Sequence, residues 1–235
     1  MYSFVTYSHS NCQDVIPAYL NRISKYGGGI ECNLMLDKIF LDAKNIHIYD
    51  DSKNYSSEFV RILKNIPHEY FIYMQEDFIL YDHIKLNEIN YCFDVLKNSN
   101  LSFIRFIKCG HVSDINISKN LYLISKDAVS HKSSDCYSMQ PTLWKKSDFI
   151  KLYEDCNSNY FGEHIGYTNS LNKLKMNGAY YYDNEMRIGN HHYSTIFPYI
   201  ATAIVRGKWN YSQYPKELES LFSEFKIDKN IRGCV

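Results

Sequence analysis

The chain has 235 residues, with 26 Lys plus Arg against 26 Asp plus Glu and a formal net charge of zero; that length suits one α/β domain, and the lack of a basic balance argues against a nucleic-acid partner. Seven scattered cysteines with no C-x-x-C pair argue against a disulfide framework or a zinc ribbon. The start, Met1 to Tyr7, has no basic leader and no run approaches the roughly 18 apolar residues of a membrane span, so the expectation is a cytoplasmic protein with no transmembrane segment.

In chain order, Tyr2 to Tyr7 reads as a buried strand closing on the polar Ser8-His9-Ser10-Asn11 turn. Asp14 to Tyr26 carries Val15, Tyr19, Leu20 and Ile23 at helical spacing. Gly27-Gly28-Gly29 breaks that helix, and Ile30 to Leu36 fits either a strand or a short helix. Ile46 to Tyr49 is a strand with Asp50-Asp51-Ser52 at its end, Phe59 to Ile66 a helix, and Tyr70 to Met74 the most apolar strand of the first half. Leu86 to Leu96 predicts a helix, with Phe103 to Ile107 and Leu121 to Ile124 as further strands. Pro141 fixes an extended entry over Gln140 to Trp144, before a helix that starts at Ser147-Asp148 and runs to about Glu154. A second helix spans Gly162 to Lys175, and Ile196 to Val205 also looks helical. Strands alternating with helices predict one α/β domain over 1–235, a single Rossmann-type mixed sheet flanked by helices, with a C-terminal helical extension.

Ligands of open α/β sheets lie outside the carboxyl ends of strands. Polar clusters follow three of the predicted strands, namely Ser8-His9-Ser10, Asp50-Asp51 and Gln75-Glu76-Asp77. The third is the most informative, because two carboxylates sit between apolar Tyr70 to Met74 and apolar Phe78-Ile79-Leu80. Acids placed there need compensation, and a hard divalent cation shared with phosphate oxygens supplies it. The plainer alternative is that Glu76 and Asp77 end a strand and face solvent. The 22 tyrosines offer flat faces with a hydroxyl, suited to sugars or nucleobases, or reflect only a compositional drift.

Phe4 to Ser8, Ile48 to Ser52, Tyr70 to Leu80, Met139 to Lys146, Phe197 to Val205, Gly207 to Asn210 and Ile231-Arg232-Gly233 together resemble small GT-A-type glycosyltransferases of bacterial polysaccharide clusters and large DNA viruses. The resemblance implies a GT-A-like fold and transfer of a sugar, with inversion, from a UDP-, GDP- or dTDP-linked nucleotide-sugar donor to a glycan acceptor. It places Gln75-Glu76-Asp77 where such enzymes hold Mn²⁺ or Mg²⁺ against the diphosphate, with Asp77 as metal ligand and Glu76 on the ribose or the metal shell. By the same likeness Thr6, Ser8 and His9, with Asp50 or Asp51, meet the nucleoside, and a late histidine, His191 or His192, joins the metal. Glu163, after Tyr160-Phe161, is the candidate base for the acceptor hydroxyl, or else a helix-start acid favoured by the dipole. Arg187, Arg206 and Lys208 are candidate partners of the diphosphate, or ordinary solvated side chains.

Two other functions compete. Sugar nucleotidyl transfer shares the sheet and the metal, but no Gly-rich, Lys- or Arg-bearing phosphate loop follows the first strand. A catalytically inert carbohydrate-binding or scaffold protein of the same fold is the other, since the acidic segment is not a literal Asp-x-Asp.

Overall fold

A computed structural model describes residues 1–108, 115–124, 137–160, 162–183 and 194–235. The first half runs β1 (Tyr2–Tyr7), α1 (Ile16–Tyr26), β2 (Cys32–Leu36), β3 (Ile46–Ile48), α2 (Tyr55–Asn65), β4 (Tyr70–Gln75), β5 (Ile79–Leu80) and α3 (Leu86–Lys97). The second runs β6 (Leu101–Arg105), β7 (Asn116–Ser118), β8 (Leu121–Ile124), β9 (Thr142–Lys145), α4 (Lys146–Cys156), α5 (His164–Lys173) and β10 (Asn177–Tyr181). It ends with β11 (Tyr199–Ile200), β12 (Ile204–Val205), β13 (Lys208–Trp209), α6 (Pro215–Phe225) and α7 (Lys229–Arg232).

Nine strands form one sheet in the order β3-β2-β1-β4-β9-β6-β10-β8-β7. Strands β3, β2, β1 and β4 are mutually parallel, β9 is antiparallel to both β4 and β6, and β10 returns parallel to β6. The period-two alternation of strand side chains divides the core between the faces. Phe4, Ile72, Ile104 and Leu143 pack with α1, α3 and α6 on one side. Val5, Phe71, Phe103 and Trp144 pack with α2, α4 and α5 on the other.

Where Ile30 to Leu36 allowed two readings, Cys32–Leu36 is a strand, fixed by parallel pairing with both β1 and β3. The extended segment after Pro141 is itself a strand, β9, set between β4 and β6. Helix α2 starts earlier than Phe59, because Asn54 accepts a hydrogen bond from the Ser57 N–H and caps it. The helix expected over Ile196 to Val205 is absent. Tyr199–Ile200 pairs antiparallel with Ile79–Leu80, and Ile204–Val205 forms a hairpin with Lys208–Trp209. Pro198 interrupts a helix there, and Ile196, Phe197, Ile200, Ala201 and Ala203 are all buried, leaving no polar face for an amphipathic helix. The turn residues Arg206 and Gly207 have φ of 50° and 79°, the pattern of a two-residue type I′ hairpin. The C-terminal helices are α6 and α7, and α6 buries Leu218, Leu221 and Phe222.

Gly178 in β10 is held glycine by its neighbour across the sheet: a Cβ there would lie 2.1 Å from the Phe103 ring. That ring is 3% exposed and rests on Trp144 with 4.4 Å between centroids, so it has little room to give. Gly178→Ala is expected to lower stability by roughly 1–3 kcal/mol, read as a lower urea midpoint at unchanged slope. An unchanged midpoint would show that the ring can turn aside.

Candidate functional site

The sheet order turns outward in opposite senses at β1 and β4, and the crevice outside their carboxyl ends is the expected ligand site of such a sheet. Tyr7 and Gln75 are register partners there, which sets Ser8-His9 beside Glu76-Asp77. Asp77 is 8% exposed, and burial, then the adjacent Glu76 charge, push its carboxyl up to about 8, with the Ile204 N–H acting the other way. Glu76 is raised as well, by burial, against the lowering influence of Cys12, Ser8 and Arg232. Ser8 Oγ is buried and makes no hydrogen bond of good geometry among the described residues. Two neighbouring carboxyls that resist ionisation are a site wanting positive charge.

The cation closest in effect is Arg232, at the end of α7. Its Nε and Nη2 hold the Asp14 carboxylate at 2.6 and 2.5 Å, and Nη2 donates to Asn11 O at 2.9 Å. The C-terminus is thereby tied to the Ser10–Cys12 turn that lines the acids. Gly207 O accepts from Arg232 Nη1 at 3.4 Å, and Ala203 N donates to Asp77 O at 3.1 Å. The β12–β13 hairpin thus joins Arg232 to the acid pair, with Arg206 and Lys208 exposed at its tip.

Next along the edge, a cavity of about 300 Å³ is lined by Tyr7, His9, Tyr49, Asp51, Tyr55 and Tyr160 among others. Tyr7 stacks on Tyr49 at 4.9 Å and meets Tyr55 edge-on. Burial raises the Tyr7 phenol, and so do the charges of Asp51, Asp37 and Glu76, so Tyr7 lies between the cavity and the acids. His9 Nδ1 accepts the Asn11 N–H at 3.0 Å, which leaves Nε2 to carry the proton of a neutral ring. That nitrogen lies 3.4 Å from Asp51 Oδ2 and 3.6 Å from Asp37 Oδ2. Burial disfavours the Asp37 carboxylate, but the Ser10 hydroxyl and N–H, both at 2.6 Å, outweigh it and hold the group below its ordinary range. A wider groove of about 820 Å³ opens at the opposite edge beside Met1, Tyr2, Gly28, His68 and Phe93; it lies away from the acids and from the carboxyl ends of the strands.

The structure therefore gathers Ser8, His9, Asp51, Gln75, Glu76 and Asp77 along one edge. Thr6 is apart: its hydroxyl is buried against Tyr19 Oη at 2.6 Å. Asp50 also lines the cavity, with its carboxylate engaged by Ser52 and Lys53 in its own turn. Gln75 donates to Tyr73 Oη at 3.2 Å. Glu163 caps α5, its Oε1 accepting the Gly166 N–H at 2.9 Å, the helix-start role rather than an open base. Arg187, His191 and His192 lie outside the described residues. Sequence reading passed over Asp37, because β2 was not assigned and its end could not be inspected, and over the tyrosine cluster, whose members come from β1, the end of β3 and α2.

No protein-family model matches the chain, and no curated protein matches it. Among solved structures, a cytidylyltransferase from Leptospira borgpetersenii serovar Hardjo-bovis is similar over 98% of this chain and 91% of its own, at 13% identity and a TM-score of 0.50. A CMP:2-keto-3-deoxy-manno-octonic acid synthetase complexed with CTP is similar over 77% and 88%, at 10% identity and a TM-score of 0.45. The glycosyltransferase GlyE of Streptococcus pneumoniae TIGR4 is similar over 74% and 43%, at 11% identity and a TM-score of 0.42. At such identities the likeness reaches the fold and no further: the chain has a Rossmann-like mixed α/β sheet flanked by helices, of the kind seen in the Leptospira cytidylyltransferase.

Proposed function

We propose that the protein is a metal-dependent transferase that moves a sugar from a nucleoside diphosphate to an acceptor hydroxyl. The observation that carries this reading is the half-buried Glu76 beside the buried Asp77 at the β1/β4 crevice, next to an aromatic cavity of nucleoside size. Two adjacent carboxylates are a hard-oxygen donor set, and Mg²⁺ or Mn²⁺ commonly takes one or two protein carboxylates with the rest from phosphate and water. Among the described residues no three His, Cys, Asp or Glu gather as a complete cage, which fits a cation that arrives with its nucleotide. Asp77 and Glu76 would hold it, and it would neutralise the departing diphosphate.

The chain's own groups divide the remaining work. Half-buried Tyr7, backed by Tyr49, and exposed Tyr160 line the space for a base, and His9 with Asp51 is placed for ribose hydroxyls. Arg232, with Arg206 and Lys208 at the hairpin tip, supplies positive charge on the phosphate side. Glu163 stays a helix cap in this reading. Sugar nucleotidyl transfer is the second reading, favoured by fold likeness to a cytidylyltransferase along nearly the whole chain. Against it, the Ser10 N–H and hydroxyl are spent on Asp37, and the turn after β1 carries no lysine or arginine to cradle a triphosphate.

Thermal shift with UDP, GDP, dTDP and CTP, each with and without Mn²⁺, tests the binding step. One diphosphate with Mn²⁺ is expected to raise the melting temperature by mass action. Tyr7→Ala is expected to weaken the nucleotide affinity read from that response about tenfold or more, the worth of a base stacked on a ring. Release of nucleoside diphosphate from a donor sugar marks the transferase, and release of pyrophosphate from a triphosphate marks the second reading. If no nucleotide shifts the melting point under either condition, both readings fail.

A further inference from the structure

Arg105 ends β6 with 1% of its surface exposed. Its Nε donates to Ile107 O at 3.0 Å and its Nη2 to Lys108 O at 3.2 Å, while Nη1 is buried and has no partner among the described residues. Among the described residues no carboxylate pairs with it. An arginine cannot shed its proton to escape burial, and an uncompensated buried charge costs several kcal/mol. Carbonyl oxygens satisfy donors without cancelling the charge. A turn staple alone would leave Nη1 empty, whereas the guanidinium fork matches an oxyanion.

The position is telling. Tyr73, Thr142, Arg105 and Tyr180 are successive register partners across β4, β9, β6 and β10. Arg105 thus stands two strands from β4, roughly 10 Å, at the same carboxyl edge as Glu76-Asp77 and on the far side from the nucleoside cavity. Lys108, also without an ion pair among the described residues, lies over the Tyr182 ring at 4.5 Å, which adds a second cation and an aromatic face to the same corner.

We infer that Arg105, with Lys108, binds an oxyanion carried by the substrate away from its nucleotide, a carboxylate or a phosphate on a sugar. The inference rests on the proposed transferase reading for its context, and its test is independent of the nucleotide. Calorimetric titration of glucuronate, glucose 6-phosphate and glucose into the wild type, Arg105→Met and Arg105→Lys separates the possibilities. The wild type is expected to bind one charged sugar at least tenfold more tightly than glucose, and which one it prefers distinguishes carboxylate from phosphate. Arg105→Met is expected to lose that preference while keeping the thermal response to nucleotide and Mn²⁺. Should the methionine variant not fold, Arg105→Lys retains the charge without the fork and is expected to lose about tenfold, with Lys108→Met showing a smaller loss. Equal binding of all three sugars by the wild type, or an Arg105→Lys variant as discriminating as the wild type, would overturn the inference. Failure of the nucleotide arm alone would sink the transferase reading and leave the anion result standing.

Discussion

Asp77→Asn is expected to make the metal-free protein more stable at pH 8 and to abolish its stabilisation by Mn²⁺. The folded protein holds the Asp77 proton up to about pH 8, against an ordinary value of 3.8. Between those limits the folded state binds a proton that the unfolded chain has released, so stability falls as pH rises. The contribution is complete below pH 3.8, declines through the window and is level above about pH 8. The slope approaches about 1.4 kcal/mol per pH unit, and the total is on the order of 5 kcal/mol. An amide is neutral throughout and can still accept the Ile204 N–H. Asp77→Asn should therefore match the wild type below about pH 4 and exceed it by a margin that grows up to about pH 8.

Metal binding runs the other way with pH, because the ligand must be deprotonated. Apparent Mn²⁺ affinity of the wild type should climb about tenfold per pH unit and level near pH 8. Melting curves from about pH 4 to about pH 8.5, with and without Mn²⁺, read both effects at once. A flat wild-type profile would mean that Asp77 is ionised and solvated after all; a metal response surviving in Asp77→Asn would move the cation elsewhere.

How much of this was visible beforehand depended on whether a residue's partner lay nearby in sequence. β1 and β4 were legible as short apolar runs buried on both faces, and α1 because Val15, Tyr19 and Ile23 recur at helical spacing. β9 showed only as an extended stretch, since Thr142–Lys145 is too short to display alternation and owes its place to β4 and β6. The segment from Ile196 to Val205 was misread because apolar residues on every side resemble a buried helix as much as packed strand ends. Glu76-Asp77 stood out as acids amid apolar neighbours. Arg105 carried the same signal, between Ile104 and Phe106, and was passed over because one cation in a strand prompts no motif. Arg232 and Asp14 come from opposite ends of the chain, and no local pattern could have joined them.

The C-terminus should prove part of the site, with Trp209→Ala as the sharpest probe. Trp209 is fully buried and meets Phe222 edge-on at 5.0 Å. It pairs with Ile204 across the hairpin, while its N–H donates to Gly233 O and its carbonyl accepts the Val235 N–H. The Trp209 backbone thus joins the hairpin that gives Asp77 its Ile204 N–H to the tail that carries Arg232, and the Trp209 side chain anchors that hairpin on α6. Truncation to alanine is expected to remove about 3–5 kcal/mol, or on the order of 10 °C in melting temperature. Trp209→Phe keeps an aromatic partner for Phe222 and deletes the buried indole N–H that has no acceptor among the described residues, so its loss should be clearly smaller. Below the melting transition of Trp209→Ala, Mn²⁺ should also bind more weakly, because loosening the hairpin frees Asp77 and withdraws Arg232 together. A folded Trp209→Ala variant with wild-type Mn²⁺ affinity would show that the acids are set by β4 alone and that the hairpin only covers them.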